Sequence, residues 1–267
     1  MRCIAALAFA MLAALGVGVL GGCAAGKGPS SQAEQPVSQQ TPTSDSRQRA
    51  KVHTELGSLY LQRGNMGVAL EEARAAISAD ANYAPAHNLM GLVYMQLHED
   101  NTAEKSFEHA LTLAPGDPEI NNSFGWFLCQ TGREQRSIQY FLAAIKSPLY
   151  ATPSLPNTNA GICSLRLRDD KSAEEYFIRA LRLDGNNDRA LFFLADIAYR
   201  QGRLAVARLH LAELHKVTEP SSESLWLAVR IERKLGDREA EARYASQLRR
   251  KFPGTPEQQK LLQGQYQ

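Results

Sequence analysis

Four cysteines and six histidines carry most of the potential chemistry of this chain, and their spacing limits what that chemistry could be. Cys3 lies inside an amino-terminal apolar run, Cys23 ends that run, and Cys129 and Cys163 stand far downstream. A zinc site asks for close ligand pairs such as Cys-x-x-Cys or His-x-x-x-His, and neither spacing occurs. His53 and His87 recur at one position of successive repeat units, where packing is the first explanation, and His210 and His215 fall on different faces of a helix. No histidine stands with an acid and a nucleophile in a catalytic arrangement. The one glycine-dense stretch, GVGVLGG, belongs to the leader and is no phosphate loop. The chain therefore reads as a non-enzyme, without metal, cofactor or small-molecule substrate.

Chemistry of a different kind is expected at Cys23. Arg2 precedes an apolar run from Ile4 to Leu20, which closes on Leu20-Gly21-Gly22-Cys23. That order is a secretory signal followed by a lipobox. The run is short for a spanning helix, which needs about 20 apolar residues, and is thinned by Gly16 and Gly18. The lipobox resembles that of bacterial lipoproteins, which implies cleavage before Cys23 and acylation of its thiol and amine. At about 0.8 kcal/mol per buried methylene, several acyl chains make an effectively permanent anchor. Ala24 and Ala25 follow in place of an inner-membrane retention aspartate, so the expected location is the outer membrane, lipid-anchored on its periplasmic face.

Between Ala24 and about Ser46 the chain is Ser-, Gln-, Pro-, Thr- and Ala-rich, with no aromatic residue and Val37 as its single β-branched aliphatic. It lacks the apolar surface to fold alone and is expected to be a disordered tether spanning roughly 25 Å. Over the whole chain, 30 basic and 28 acidic residues leave a net charge of +2 with no long basic run, which argues against nucleic acid as partner. A hydrophobic content of 44 % in 267 residues is ample for a core.

That core is organised by a repeat. Gly57, Gly91, Gly125, Gly161, Ala195 and Val229 form a line with steps of 34, 34, 36, 34 and 34 residues, and a 34-residue period is the tetratricopeptide signature. With this line as position 8, position 20 is small at Ala69, Ala103, Ser137, Ala173 and Ala207, and position 27 reads Ala76, Ala110, Ala144, Ala180, Leu214 and Leu248. Position 24 is large and apolar at Phe107, Phe141, Phe177 and Leu211, on the same helical face as those alanines. Position 15 places Gly64, Gly132, Gly202 and Gly236 at the turn between two helices, and Pro115 and Pro253 close units two and six. The expected fold is all-α, a right-handed superhelix of six helix-turn-helix repeats, each unit mainly touching its neighbours. The organisation is then signal peptide 1–22, lipidated cysteine and tether 23–46, repeats 47–253, and a tail or capping helix 254–267. Val229, Glu232 and Glu241 make the sixth unit degenerate, as expected of a capping repeat with a more polar outer face.

In tetratricopeptide proteins, positions 2, 5, 9, 12 and 13 of each first helix line the concave groove. Here they supply Leu61, Leu92, Met95, Trp126, Ile162, Leu165, Phe192, Tyr199 and Trp226. An apolar surface of that extent marks a partner site. Arg166, Arg189, Arg200, Arg230, Arg233 and Lys234 make its carboxyl-terminal end basic, which suits an amphipathic or extended peptide with acidic character. The Lys and Asn set of the chaperone-type carboxylate clamp is absent.

Cys129 and Cys163 remain as an even pair in a compartment that permits disulfides, at position 12 of the third first-helix and position 10 of the fourth. Neighbouring helices bring facing cysteines within the roughly 5.5 Å a bridge requires. Closure would stabilise by roughly 3 to 4 kcal/mol; the alternative is two inert buried thiols.

The stretch NNSFGWFLCQTG at 121–132, followed by SPLYATPSLPNTNAGICSLRLRD and the terminal LLQGQY, resembles the type IV pilus pilotins. These are outer-membrane lipoproteins of six tetratricopeptide repeats with this cysteine pair in units three and four. The resemblance implies a protein–protein role: bringing the pilus secretin to the outer membrane and supporting its multimerisation, in pilus biogenesis and twitching motility. It further implies that the amino-terminal units, around Leu56, Tyr60, Leu61, Leu92 and Met95, take the secretin, and that the protein is monomeric apart from that assembly. A scaffold for peptidoglycan synthases or hydrolases is the alternative reading of a repeat lipoprotein.

Overall fold

A computed structural model describes residues 35–266; the leader, Cys23 and the start of the tether lie outside the described residues. All regular structure described is helical, a single 3-10 turn at Val37–Gln39 and thirteen α-helices. Twelve of them pair in order: α1 (Asp45–Gln62) with α2 (Met66–Ala79), α3 (Ala84–Gln96) with α4 (Asp100–Leu113), α5 (Pro118–Gln130) with α6 (Glu134–Ile145). Then come α7 (Ser154–Arg166) with α8 (Asp170–Leu183), α9 (Asp188–Arg200) with α10 (Leu204–Val217), and α11 (Ser222–Leu235) with α12 (Arg238–Lys251). A short α13 (Pro256–Leu262) follows. First helices touch the next first helix along most of the stack, at α1 to α3, α3 to α5, α5 to α7 and α9 to α11, whereas the second helices stand farther apart. The stack therefore curves with the first helices on its inner side.

In the pairs that carry glycine at position 8 the two helices approach closely there. An ideal Cβ on Gly91 would sit 2.8 Å from the Phe107 ring, one on Gly125 2.9 Å from Phe141, and one on Gly161 2.6 Å from Phe177. Each of these phenylalanines is fully buried. As the first-helix residue grows to Ala195 and then Val229, its partner shrinks to Leu211 and Ala245, and the pairs stay closed because the summed volume is held near constant. The inter-helix turn takes a left-handed residue at position 15: Gly64, Gly132, Gly202 and Gly236 have φ from 75° to 79°. Units two and four put His98 and Arg168 there, both at φ 60°, a conformation that costs a side-chain-bearing residue roughly 1 to 2 kcal/mol.

Both ends of the stack differ from the sequence expectation. An unfolded tether through residue 46 does not describe the chain from residue 35 on, for Pro36 is buried and Val37 packs beside Ala50, Tyr83 and Ala86. The backbone N–H of Val37 donates to Asp117 Oδ2 at 2.7 Å, and the Ser38 hydroxyl donates to Glu119 Oε2 at 2.6 Å. Asp117 also caps α5, accepting from the Glu119 and Ile120 backbones, so one buried carboxylate serves both helix and strap. The burial that comes with this contact raises the Glu119 carboxyl above its ordinary value, against the Ser38 hydrogen bond, and pushes the Tyr83 hydroxyl up to about 12. A segment too polar to fold alone is thus ordered by a docking site whose contacts come from other parts of the chain.

At the other end, Glu232 and Glu241 do not make a polar outer face. Glu232 is buried and takes the Arg208 guanidinium of α10, with Arg208 Nε at 3.0 Å, and Asp237 completes the cluster. Glu241 is mostly covered and receives Arg233 and Arg238. The charges turn inward because each finds a guanidinium there, the condition under which burial of a charge is tolerated. Capping falls to α13, whose Leu261 joins Leu225, Trp226, Val229 and Leu248 in one cluster.

Three outcomes follow. Gly125→Ala should destabilise the protein by about 1 to 3 kcal/mol by overpacking against Phe141, and Phe141→Leu in the same chain should recover part of that loss in a denaturant-midpoint cycle; a neutral Gly125→Ala would refute the contact. His98→Gly should raise stability by about 1 kcal/mol, since it relieves a left-handed side-chain-bearing residue, read from the same midpoints. Asp117→Ala should cost about 1 kcal/mol as a lost cap and open the bonds near Val37 to limited proteolysis, and a cleavage pattern identical to wild type would contradict the strap.

Candidate protein-interaction surface

The inner surface is the row of first helices. Its fifth-position column runs Thr54, Asn88, Asn122, Thr158, Phe192, Trp226, polar through four units and aromatic in the last two. The polar members are spent mostly on their own fold: Thr54 and Thr158 donate to the carbonyls of Ala50 and Ser154, and Asn122 Oδ1 accepts from Asn159. Asn88 differs, for its Oδ1 is buried and has no partner among the described residues. The column is readable in the sequence once the units are aligned, but its four polar members are missed by a search for apolar groove residues.

The amino-terminal half is open. Leu61, Leu92 and Met95 are half-buried, and a cavity of about 340 Å³ beside them is lined by Thr54, Ser58, Leu59, Asn88, Leu89 and Leu92, with Ser38 of the strap and Glu119 at its edge. Val52, Leu56 and Leu59, one stripe of α1 at spacings of four and three, are exposed because no unit precedes the first one within residues 35–266. Tyr60 is packed beside Leu61 against Leu89 and Val93, so of the two residues expected here Leu56 faces out and Tyr60 supports the helix pair.

The middle of the groove is stapled. Cys129 and Cys163 are fully buried and joined in a disulfide, their Cα atoms 5.9 Å apart, linking α5 to α7. Arg166 reinforces the link by donating to the Cys129 carbonyl at 2.7 Å and to Gln130 Oε1 at 2.9 Å. The cysteine at position 12 thus faces the next first helix and not solvent. Trp126 beside it is half-buried over Ile162 and Leu165, and the Arg189 guanidinium of α9 lies 5.6 Å from its ring centroid.

The carboxyl-terminal half is aromatic and cationic. Phe192 is half-buried; Tyr199 is buried, with Arg230 at 4.4 Å and Lys234 at 4.2 Å from its ring, and Arg230 Nε donating to its hydroxyl at 3.3 Å. Trp226 is 5 % exposed because Tyr266 stacks on it at 5.5 Å, and Arg233 covers Tyr266 at 3.9 Å. The nine apolar residues expected as one groove are therefore two open regions separated by stapled helices, with Ile162, Tyr199 and Trp226 serving as floor. Sequence reasoning missed Tyr266, since no repeat position announces a tail that folds back. Among the described residues no three His, Cys, Asp or Glu side chains are grouped so as to hold a metal ion, and no helix is long and apolar enough to cross a membrane.

Models of the tetratricopeptide repeat match residues 50–83 and 84–117, each one helix pair, and residues 165–222, from the end of α7 through α10. The type IV pilus assembly protein PilF of Pseudomonas aeruginosa is 30 % identical over 209 residues, 78 % of this chain and 83 % of PilF. The solved structure of that PilF superposes with a TM-score of 0.77 at 28 % identity, covering 83 % of this chain and 100 % of the other. The solved structure of PilW, a widely conserved type IV pilus biogenesis factor, gives 0.73 at 30 % identity over 80 % of this chain and 98 % of PilW. YrrB, a tetratricopeptide protein with an unusual peptide-binding site, shares the fold alone, at 0.57 and 16 % identity. Helix pairing, repeat register and near-complete coverage of these relatives agree, and the chain belongs to the PilF family of tetratricopeptide-repeat proteins of type IV pilus biogenesis.

Proposed function

We propose that this protein is an outer-membrane pilotin: a lipoprotein that holds the type IV pilus secretin at the outer membrane and supports its assembly into a multimer. The observation that carries the reading is the open amino-terminal half of the inner surface. Exposed Leu59 lines a cavity of about 340 Å³, floored by Leu89 and Leu92 and holding the unpartnered Asn88 Oδ1, and exposed Val52 and Leu56 continue the apolar stripe of α1 over the end of the stack. An apolar stripe supplies the area that a partner helix or strand buries, and a buried amide oxygen supplies an acceptor for a backbone N–H that the partner brings. Cys23 provides the address: acylated, it fixes the repeats within tether length of the membrane where the secretin inserts. The protein is then an interaction scaffold, and its work is to cover secretin surface that would otherwise aggregate before the ring closes.

The test is deletion of the gene, followed by separation of inner and outer membranes and scoring of the heat-resistant secretin multimer against monomer. Loss of the outer-membrane multimer, with restoration by wild type but not by Cys23→Ala, is the expected outcome. Leu56→Glu and Leu59→Glu, both at exposed sites, should abolish the multimer without lowering the melting temperature. A multimer unchanged by the deletion would sink the reading.

A further inference from the structure

We infer that the carboxyl-terminal half of the inner surface is a second binding site, for an acidic peptide segment bearing an aromatic side chain, separate from whatever the amino-terminal half takes. The charge on the two halves differs. At the five inner positions, units one to three carry Lys51 and Glu119, which cancel; units four to six carry six cations, Arg166, Arg189, Arg200, Arg230, Arg233 and Lys234, against Asp196 and Glu223.

Which of these cations are already neutralised decides what the surface can bind. Arg200 is paired with Asp170 and Asp196, and Arg233 with Glu241. Arg166 is spent on the Cys129 carbonyl and Gln130 Oε1. Arg189, Arg230 and Lys234 have no carboxylate partner among residues 35–266. Each is instead laid over an aromatic ring of the inner wall, Arg189 on Trp126 and the other two on Tyr199. Burial lowers Arg189 from the ordinary guanidinium value, with Asp188 opposing, so an incoming carboxylate meets a cation partly stripped of water. Such a pairing is stronger than one in open solvent.

The chain also displays what the wall accepts. Its own Tyr266 stacks on Trp226 and has the Arg233 guanidinium over its ring, so a tyrosine is held by an aromatic and a cation. The same components, Phe192 and Arg189, stand unoccupied one unit earlier at a cavity of about 290 Å³, completed by Phe193, Leu214 and Ser224 and rimmed by Asp188 and Glu219. A phenyl or phenol side chain fits that cavity while flanking carboxylates reach Arg189, Arg230 and Lys234. Cation–π contact and charge pairing then act together, and the rim acids Asp188 and Glu219 oppose a carboxylate at the cavity mouth itself, so the acidic groups of the peptide must flank the aromatic one and not sit beside it.

The experiment is selection of a random phage-displayed peptide library on the full chain, counter-selected on the Arg189→Gln, Arg230→Gln, Lys234→Gln triple variant. Recovered peptides are measured by fluorescence anisotropy, and a shared melting temperature shows that the variant folds. Enrichment of Asp or Glu with Tyr, Phe or Trp, binding at least about tenfold weaker to the triple variant, and weakening by salt are expected. In a Trp226→Phe background the peptide should alter the emission of Trp126, the remaining tryptophan. No acidic and aromatic enrichment, equal binding to the variant, or unchanged Trp126 emission would overturn the site. So would binding of the three cations to phosphatidylglycerol vesicles in place of any peptide. The selection contains no secretin, so its result stands apart from the pilotin reading.

Discussion

The contact on which the rest of the molecule depends is the approach of a second-helix phenylalanine onto a first-helix glycine. A Cβ at Gly91, Gly125 or Gly161 would fall within 3 Å of the facing ring, so the helices of these pairs are as close as their backbones permit. Close pairing sets the angle between the helices, the angle sets how one pair stacks on the next, and stacking sets which first-helix positions reach the inner surface. The exchange to Ala195 with Leu211 and Val229 with Ala245 shows that in units two to six it is the summed volume and not the glycine that is held, whereas in unit one Gly57 is met by Leu89 of the next unit.

From that geometry the inner surface inherits two characters. Near the amino terminus it is open, with Leu61, Leu92 and Met95 half-buried beside a cavity, and at the end of the stack next to it Val52, Leu56 and Leu59 are exposed. Near the carboxyl terminus α13 and Tyr266 close it, and the wall carries cations resting on aromatic rings. Between them the Cys129–Cys163 bridge joins α5 to α7 across the insertion that breaks the 34-residue period. The staple stands where an irregular connection would otherwise loosen the stack, and it holds Trp126 against the next two units. A rigid curve with chemically distinct halves is suited to hold one partner while meeting another.

The repeat was legible because a 34-residue period imposes small, large and left-handed positions that no other arrangement of these residues explains. The turn column was read from four glycines, while His98 and Arg168 took the same conformation unannounced, since neither residue type signals a positive φ. Of the groove, the positions were legible and the exposure was not. Ile162, Tyr199 and Trp226 stand on first helices, yet neighbouring helices and the tail bury them. Asn88, Tyr266 and the strap residues Val37 and Ser38 gave no local signal, for each matters through a partner distant along the chain.

The sequence by itself determined the helical class, the register of the units, the cysteine pair and the list of residues eligible for the inner surface. These follow from periodicity, which is local and survives translation along the chain. Only the tertiary structure decided that a polar tether docks on Asp117 and Glu119, that Glu232 and Glu241 turn inward to arginines, and that the surface divides into an open half and a half lined by cations on aromatic rings. Those outcomes depend on which groups meet across the fold, and a charge or an apolar side chain has a defined energy only once its neighbours and its access to water are known.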